Sequence, residues 1–299
     1  MQIIRKKFHR HHDWCFEIVT SLIMVLVIVI TLYPFLNMVA ISLNDTLDAS
    51  LGGIGLFPRK FTLSNYRIIM DNKEIYSAFV MSVLRTVVGT VTALFCTALL
   101  GYILAQDHFV LRKFTTMLIV FTMYVSAGLI PGYFMKKLLG MINTFWVYII
   151  PNLCGSFHVI LIRTYMKGIP NSVYESARLD GAKEFTVFSR IIAPMSKPVL
   201  ATVALYIAVN QWNSWFDTYM FASGNKSLNT LQFELMKMVQ SASSANTSSS
   251  AAANTVKGTM SPLSIRATIT VVTAIPILMV YPFLQKYFVA GMNIGSVKE

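Results

Sequence analysis

An all-α membrane protein with six spanning helices is the fold this sequence predicts, and three observations carry the prediction. Only 13% of the 299 residues are charged against 55% hydrophobic, where soluble domains hold about 25% charged residues. The mean hydropathy is +0.59. Several uninterrupted apolar runs reach the roughly 20 residues that a helix needs to cross a bilayer core. Backbone facing lipid must satisfy its own hydrogen bonds, which makes these runs helices.

The first span covers about 16–42 and contains Pro34. It follows a basic stretch, MQIIRKKFHRHHDWC, but is too long for a signal-peptide core and ends in no small-residue cleavage site, so it reads as an uncleaved span. The second covers about 78–105 with Arg85 inside it, and the third about 114–131, ending in Gly128, Leu129, Ile130 and Pro131. The fourth, about 144–165, is interrupted by Pro151 and Gly155. The fifth covers about 197–222 and the sixth about 265–289, with Pro276 and Pro282. The Pro and Gly positions are expected kinks packed against neighbouring helices. Residues 1–299 form one membrane domain, with no second soluble domain.

An even number of spans puts both termini on one side. Arg5, Lys6, Lys7 and Arg10, the short loop with Arg112 and Lys113, and the segment holding Arg163, Lys167, Arg178, Lys183, Arg190 and Lys197 all fall on that side. By the positive-inside rule it is the cytoplasm. The loop at 43–77 balances Arg59, Lys60, Arg67 and Lys73 against Asp45, Asp48, Asp71 and Glu74 and is assigned to the exterior. So is 223–264, whose core, SASSANTSSSAAANT, is low in complexity and expected to be mobile. Lys136 and Lys137 fall outside against the rule, as interfacial side chains. The net charge of +12 lacks the gathered basic block with interleaved aromatics of a nucleic-acid binder. Attraction to anionic lipid accounts for it, and for His9, His11 and His12 in the basic tail. Cys15, Cys96 and Cys154 form no CxxC and read as small apolar fillers.

One polar segment stands between hydrophobic spans: YESARLDGAKEFTVFSRIIAPMSKP, residues 174–198. Ser172 and Glu175 have the spacing of a capping box, which predicts a short helix from that point. Gly181 is expected to end it in the left-handed conformation. A second helix would run to Pro194 with Phe185, Phe188 and Ile192 on one face and Arg178, Asp180, Lys183 and Glu184 elsewhere. An amphipathic connector lying at the membrane surface has the same outline.

The residues decide between the two. Glu175, Ala177, Asp180, Gly181, Ala182, Phe188, Pro194 and Pro198 fit the EAA loop of ABC-importer permeases, with Ser176 at the middle Ala and Ala193 before the Pro as departures. The resemblance extends along nearly the whole chain, to the run at 281–289 followed by Gly291 and Met292, to 85–90, to 126–131 and to 212–216. Ala127 replaces the commoner Gly of the third-span motif. The sequence resembles the carbohydrate-uptake branch of these permeases, of the maltose-type smaller permease and the polysaccharide and oligosaccharide importers.

That resemblance implies a type I ABC-importer permease fold in the bacterial cytoplasmic (inner) membrane. It implies a coupling loop at 170–194 in which Glu175, Ser176, Ala177, Asp180, Gly181 and Ala182 dock on a cytoplasmic ATPase, and a C-terminal tail at 285–299 entering the ATPase dimer. The expected partners are a second homologous permease in a heterodimer, two ATPase subunits that bind Mg-ATP, an extracytoplasmic solute-binding protein, an oligosaccharide and membrane lipid. The chain itself holds no cofactor.

Inside the membrane, ionisable residues are candidates for function. Arg85 reads either as a cavity or gate residue or as a snorkelled or carbonyl-paired one. Gln211, Trp212, Asn213 and Trp215 combine indole faces with amides, which suits pyranose rings; an interfacial aromatic belt would also place Trp here. Asp217, a turn further out, reads as solvated or Arg-paired. Asn229, Leu231 and Gln232 lie in an amphipathic stretch that the family would turn toward the binding protein, or that packs on the membrane edge. The chain has no GxxxxGK[ST], HExxH or G-x-S-x-G, so no motif makes it an enzyme. Asp and Glu are missing from the span interiors, and the halves do not resemble each other, which argues against an ion-coupled secondary transporter. A permease of the same superfamily for an amino acid, peptide or phosphonate is the other alternative.

Overall fold

The computed structural model describes residues 2–245 and 261–294. Among them every regular element is helical, with one isolated antiparallel bridge between Asn44 and Phe61. Two compact units are formed, Met1–Asp71 with Met238–Val272, and Asn72–Lys237 with Thr273–Glu299.

In the first unit, α1 (Gln2–Ser42) runs through Pro34 without a break. Leu22, Ile23, Ile28 and Leu32 are among its many exposed apolar side chains; a stripe of this kind needs lipid or another helix to cover it. Its C-terminal end packs Ala40 and Ile41 against Ala49 of α2 (Thr46–Ser50), Ile54 and Ala267. Asp45 caps α2 by accepting from the Leu47 and Asp48 N–H groups. Asn65 of α3 (Ser64–Met70) is sealed and donates to the carbonyls of Ser42 and Asn44.

The second unit is built around α4 (Lys73–Ala105), which begins before the expected residue 78 because Asn72 caps it by accepting from the Glu74 N–H. Gly89, Ala93, Thr97, Gly101 and Ala105 recur every fourth residue along its buried face. Small side chains at this spacing let helix backbones approach closely in a membrane. A β-carbon on Gly101 would lie 2.8 Å from Ile162 Cγ2 and 3.3 Å from the Arg163 backbone nitrogen. The isoleucine side chain can move, but the backbone cannot. Gly101→Val is therefore expected to cost about 1–3 kcal/mol of packing, read as a lowered midpoint in thermal unfolding of the purified complex. An unchanged midpoint would show that the contact is not tight.

The third span departs from expectation. Rather than one helix over 114–131, α5 (Arg112–Tyr124) stops at an extended Val125 and α6 (Leu129–Leu138) restarts after Gly128, whose φ is +82°. The fourth consists of α7 (Trp146–Ile149), a 3₁₀ turn Ile150–Asn152 and α8 (Ser156–Lys167), bent by 46° at the predicted Pro151 and Gly155. Then come α9 (Asn171–Leu179), α10 (Glu184–Thr186), a π turn Val187–Ile192 and α11 (Ala193–Met195). α12 (Lys197–Asn213) leaves at 85° to the preceding helix. The fifth span is not continuous to 222 either: it breaks at Ser214 and Trp215, before α13 (Phe216–Phe221).

The loop 223–264 contains a 3₁₀ turn, Lys226–Leu228, and a regular helix, α14 (Leu231–Ala245), which takes in the first five residues of the core expected to be mobile; the rest of that core lies in 246–260, outside the described residues. α15 (Pro262–Ile294) takes up the sixth span and the first part of the predicted tail 285–299, whose last five residues lie outside the described ones. The main core of the second unit gathers Ala93, Tyr102, Ile162, Met166, Tyr174, Phe188, Ile192 and Val203. By length and composition Phe16–Ser42 and Lys73–Ala105 can each cross a membrane, and two bent pairs, Trp146–Asn152 with Ser156–Lys167 and Glu184–Met195 with Lys197–Asn213, pass the same test.

Candidate functional site

The polar segment folds as a helix, a glycine turn and a second helix, but not with the expected cap. Pro170 occupies the N-cap of α9 with no side-chain hydrogen bond, so Ser172 lies inside the helix and the Ser172–Glu175 capping box does not form. The C-terminal end is as expected. Gly181 sits at φ +76°, the Ala182 N–H donates to the Ala177 carbonyl at 3.0 Å and the Gly181 N–H to the Arg178 carbonyl at 2.9 Å. This pair of bonds is a Schellman motif, which requires the left-handed residue.

Tyr174 and Ala177 face the core, and the Tyr174 hydroxyl donates to the Met166 carbonyl at 3.0 Å. Burial raises its pKa, so it stays a neutral donor. Glu175, Ser176, Asp180 and Gly181 are exposed, and Ala182 is half-buried. Phe188 and Ile192 are buried as predicted, whereas Phe185 is not on their face: it is 59% exposed. The π turn that starts at Val187 interrupts the regular spacing between them. Leu179 and Phe185 are thus both exposed, one on each side of the Gly181 turn, which the sequence reading did not foresee.

It also missed the brace behind that turn. Arg178 Nε donates to Glu184 Oε1 at 3.1 Å, and Nη2 reaches Gln106 Oε1 at 3.2 Å and the His108 ring at 3.3 Å. Glu184 Oε2 accepts from the Tyr102 hydroxyl at 2.7 Å. These bonds join α9 and α10 to the C-terminal end of α4. A cavity of about 330 Å³ opens beside them, lined by Gln106, His108, Lys167, Asn171, Glu175 and Arg178 among others. At its rim Arg112 hydrogen-bonds Asp107 and, with its charge, holds that carboxyl below the usual range.

A second cluster lies at the break in the fifth span. Arg85 is 1% exposed and neither snorkels nor lines an open path. Its Nε donates to Gln211 Oε1 at 2.8 Å and its Nη1 to the Ser214 carbonyl at 3.2 Å. Both Nη groups bond Asp217, and the guanidinium lies 4.4 Å from the Tyr148 ring centroid. Of the two readings of Asp217, the Arg-paired one holds.

Of the five expected pathway residues, Arg85, Gln211 and Trp212 are buried. Gln211 also donates to the Tyr148 carbonyl at 3.3 Å, and Trp212 Nε1 to the Thr273 carbonyl at 3.1 Å. Their polar groups are spent inside the protein. Asn213 is exposed and Trp215 half-buried. Asn229 and Leu231 are buried too: the Leu231 N–H donates to Ser82 Oγ at 2.8 Å and Asn229 bonds Glu234 at 2.5 Å. Only Gln232 of that trio reaches the surface, donating to Asn213 Oδ1 at 3.2 Å. Tyr219, which the sequence reading did not single out, joins Trp215 to Phe233, with ring centroids 6.4 Å from each. Among the described residues no group of His, Cys, Asp or Glu is placed to hold a metal ion.

Residues 97–294, which include the whole α9–α11 unit, match the family of binding-protein-dependent transport system inner membrane components. The chain belongs to this family. Protein LplC of Bacillus subtilis (strain 168) is 34% identical over 90% of both chains. The polygalacturonan/rhamnogalacturonan transport system permease protein YtcP of the same organism is 31% identical over 90% of this chain and 93% of its own. Among solved structures, a chain of a bacterial ABC transporter involved in the import of the acidic polysaccharide alginate superposes with a TM-score of 0.81. It is 27% identical, with 92% of this chain and 97% of that one covered. This ABC-importer permease accordingly has the type I importer fold and is a multi-pass, non-catalytic membrane subunit that works with an ATPase and a solute-binding protein.

Proposed function

We propose that the chain is one of two different permease subunits in an importer of oligosaccharides or polysaccharide fragments, driven by a separate ATPase dimer through α9 and the Gly181 turn. The observation that carries this reading is the turn itself: a glycine-closed helix with Leu179 and Phe185 exposed beside Glu175, Ser176, Asp180 and Gly181, braced from behind onto α4. Exposed apolar side chains on a charged, hydrogen-bonded unit favour a protein partner over a lipid one. The basic residues of 163–197 support a cytoplasmic position for it, with both termini on the same side and six spans in all. ATP-driven closure of the ATPase dimer would move the turn, and the helices braced to it would alternate access. The C-terminal tail 285–299 would enter the ATPase dimer.

The cargo reading rests on the kinship with carbohydrate permeases and on the surface at the fifth-span break. Trp215 and Tyr219 offer ring faces, with the buried Phe233 behind Tyr219, and Asn213 and Gln232 offer amides beside them. Pyranose rings pair apolar C–H faces with hydroxyls, which that combination matches. Gln232, which reaches the surface in the fifth-to-sixth-span loop, would meet the binding protein. The test is ATP hydrolysis by the reconstituted complex with binding protein loaded in turn with oligogalacturonides, arabino-oligosaccharides and alginate oligosaccharides. Stimulation by at least one is expected. Stimulation by none of them, with stimulation by an amino-acid or peptide cargo, would replace the sugar reading.

A further inference from the structure

The break in the fifth span is not made by a helix-breaking residue. From Asn210 to Ala222 the sequence holds neither Gly nor Pro, and its residues are compatible with a continuous helix. In such a helix the Thr218 N–H would donate to the Ser214 carbonyl. Here both halves of that bond are occupied by other partners. The Ser214 carbonyl accepts from Arg85 Nη1 at 3.2 Å, and the Thr218 N–H donates to Asp217 Oδ1 at 3.0 Å. Asp217 Oδ1 also accepts from Ser214 Oγ at 2.9 Å.

The Arg85 fork thus takes the carbonyl, and Asp217 the N–H, of one helical hydrogen bond lost at the break. Its remaining bonds fix its position: Nε on Gln211, and the plane against Tyr148, whose hydroxyl donates to the Leu228 carbonyl at 2.9 Å. Gly89 leaves room for Gln211, since a β-carbon there would lie 2.7 Å from Gln211 Nε2. A buried charge pair is seldom kept for stability alone, because desolvation offsets most of its attraction. Fixing a geometry that the chain would not otherwise adopt is a reason to keep one.

We propose that Arg85 and Asp217 are positioning residues that hold the fifth span open at Ser214 and so set Trp215 and Tyr219 toward the cargo. The pair touches no substrate; it acts through the backbone between them. The second half of this rests on the sugar reading above, and the first half does not. With the pair removed, α12 and α13 anneal into one helix and the rings turn away from their present face.

The test uses the full complex, parent and variants. Arg85→Met with Asp217→Leu removes both charges together and strands neither, so the double variant is expected to fold. Hydrogen–deuterium exchange of the amides at 215–218 is expected to slow about tenfold or more as helical bonds form. Glycan uptake is expected to fall about tenfold or more with it. Asp217→Glu, which keeps a carboxylate for Arg85, should exchange as the parent does. Unchanged exchange in the double variant overturns the proposal. Slowed exchange with undiminished uptake overturns its second half. Slowed exchange in a complex that responds to no glycan even unmutated upholds the assignment of the break and overturns the cargo reading instead.

Discussion

Replacing Gly181 with proline is expected to abolish the stimulation of ATP hydrolysis by loaded binding protein while leaving the permease inserted and assembled. Gly181 holds φ at +76°, and its N–H donates to Arg178 to close α9. Proline removes that N–H and fixes φ near −65°, on the opposite side of the map. The turn cannot keep its path, and Leu179, Asp180 and Ala182 leave the positions they hold around it. Crowding plays no part, because a β-carbon on Gly181 would meet nothing within 4 Å. Gly181→Ala therefore isolates the conformational cost, about 1–2 kcal/mol for a left-handed residue with a β-carbon, and should weaken stimulation without ending it. The core formed by Tyr174, Ala177 and Phe188 lies on the other side of α9 and does not depend on residue 181. Co-purification of the second permease with the variant separates lost coupling from lost assembly. A proline variant that assembles and is stimulated like the parent would refute the coupling assignment.

The elements differ in how far the sequence disclosed them, for physical reasons that can be named. The bend in the fourth span follows from Pro151 and Gly155, and the left-handed end of α9 from Gly181; in both places the cause lies in the local residues. The break in the third span was signalled by Gly128 but read as an end, because the apolar run continues past it into α6. The break in the fifth span was invisible, since it holds neither Gly nor Pro and the guanidinium bound to the Ser214 carbonyl comes from 129 residues away in the chain. That break also divides the cluster of Gln211, Trp212, Asn213 and Trp215. Before it, the helix turns Gln211 onto Gly89; after it, Trp215 starts a new direction, so four residues read as one cluster divide between core and surface. The capping box failed on a shift of two positions: Pro170, not Ser172, takes the cap and Asn171 begins the helix. Composition and motif spacing were enough for the outline of the helix–glycine–helix unit and for the family. The partners of Arg178 and Arg85 come from distant helices and needed the fold.

Arg178→Ala should leave the folded complex as stable as the parent but lower the amount of cargo moved per ATP hydrolysed. Arg178 and Glu184 are 36% and 54% exposed, and an ion pair so placed contributes about 1 kcal/mol or less to folding. Its importance is mechanical. Arg178 reaches Glu184 on one side and Gln106 on the other, and Glu184 reaches Tyr102 in turn, so the turn proposed to meet the ATPase is linked to the far end of α4 by side chains as well as by packing. Loss of the link lets α9 move with the ATPase while α4 lags. ATP hydrolysis would then continue at a reduced but measurable stimulation, and glycan uptake would fall further than hydrolysis does. Arg178 could also touch the ATPase directly, and a second variant separates the two roles. Glu184→Ala leaves Arg178 in place but removes the acceptor it shares with Tyr102, and it should lower the same ratio. Tyr102→Phe removes one bond of the chain and should lower it less. If Arg178→Ala reduces the ratio and Glu184→Ala does not, the arginine acts on the partner alone and the brace has no part in transmission.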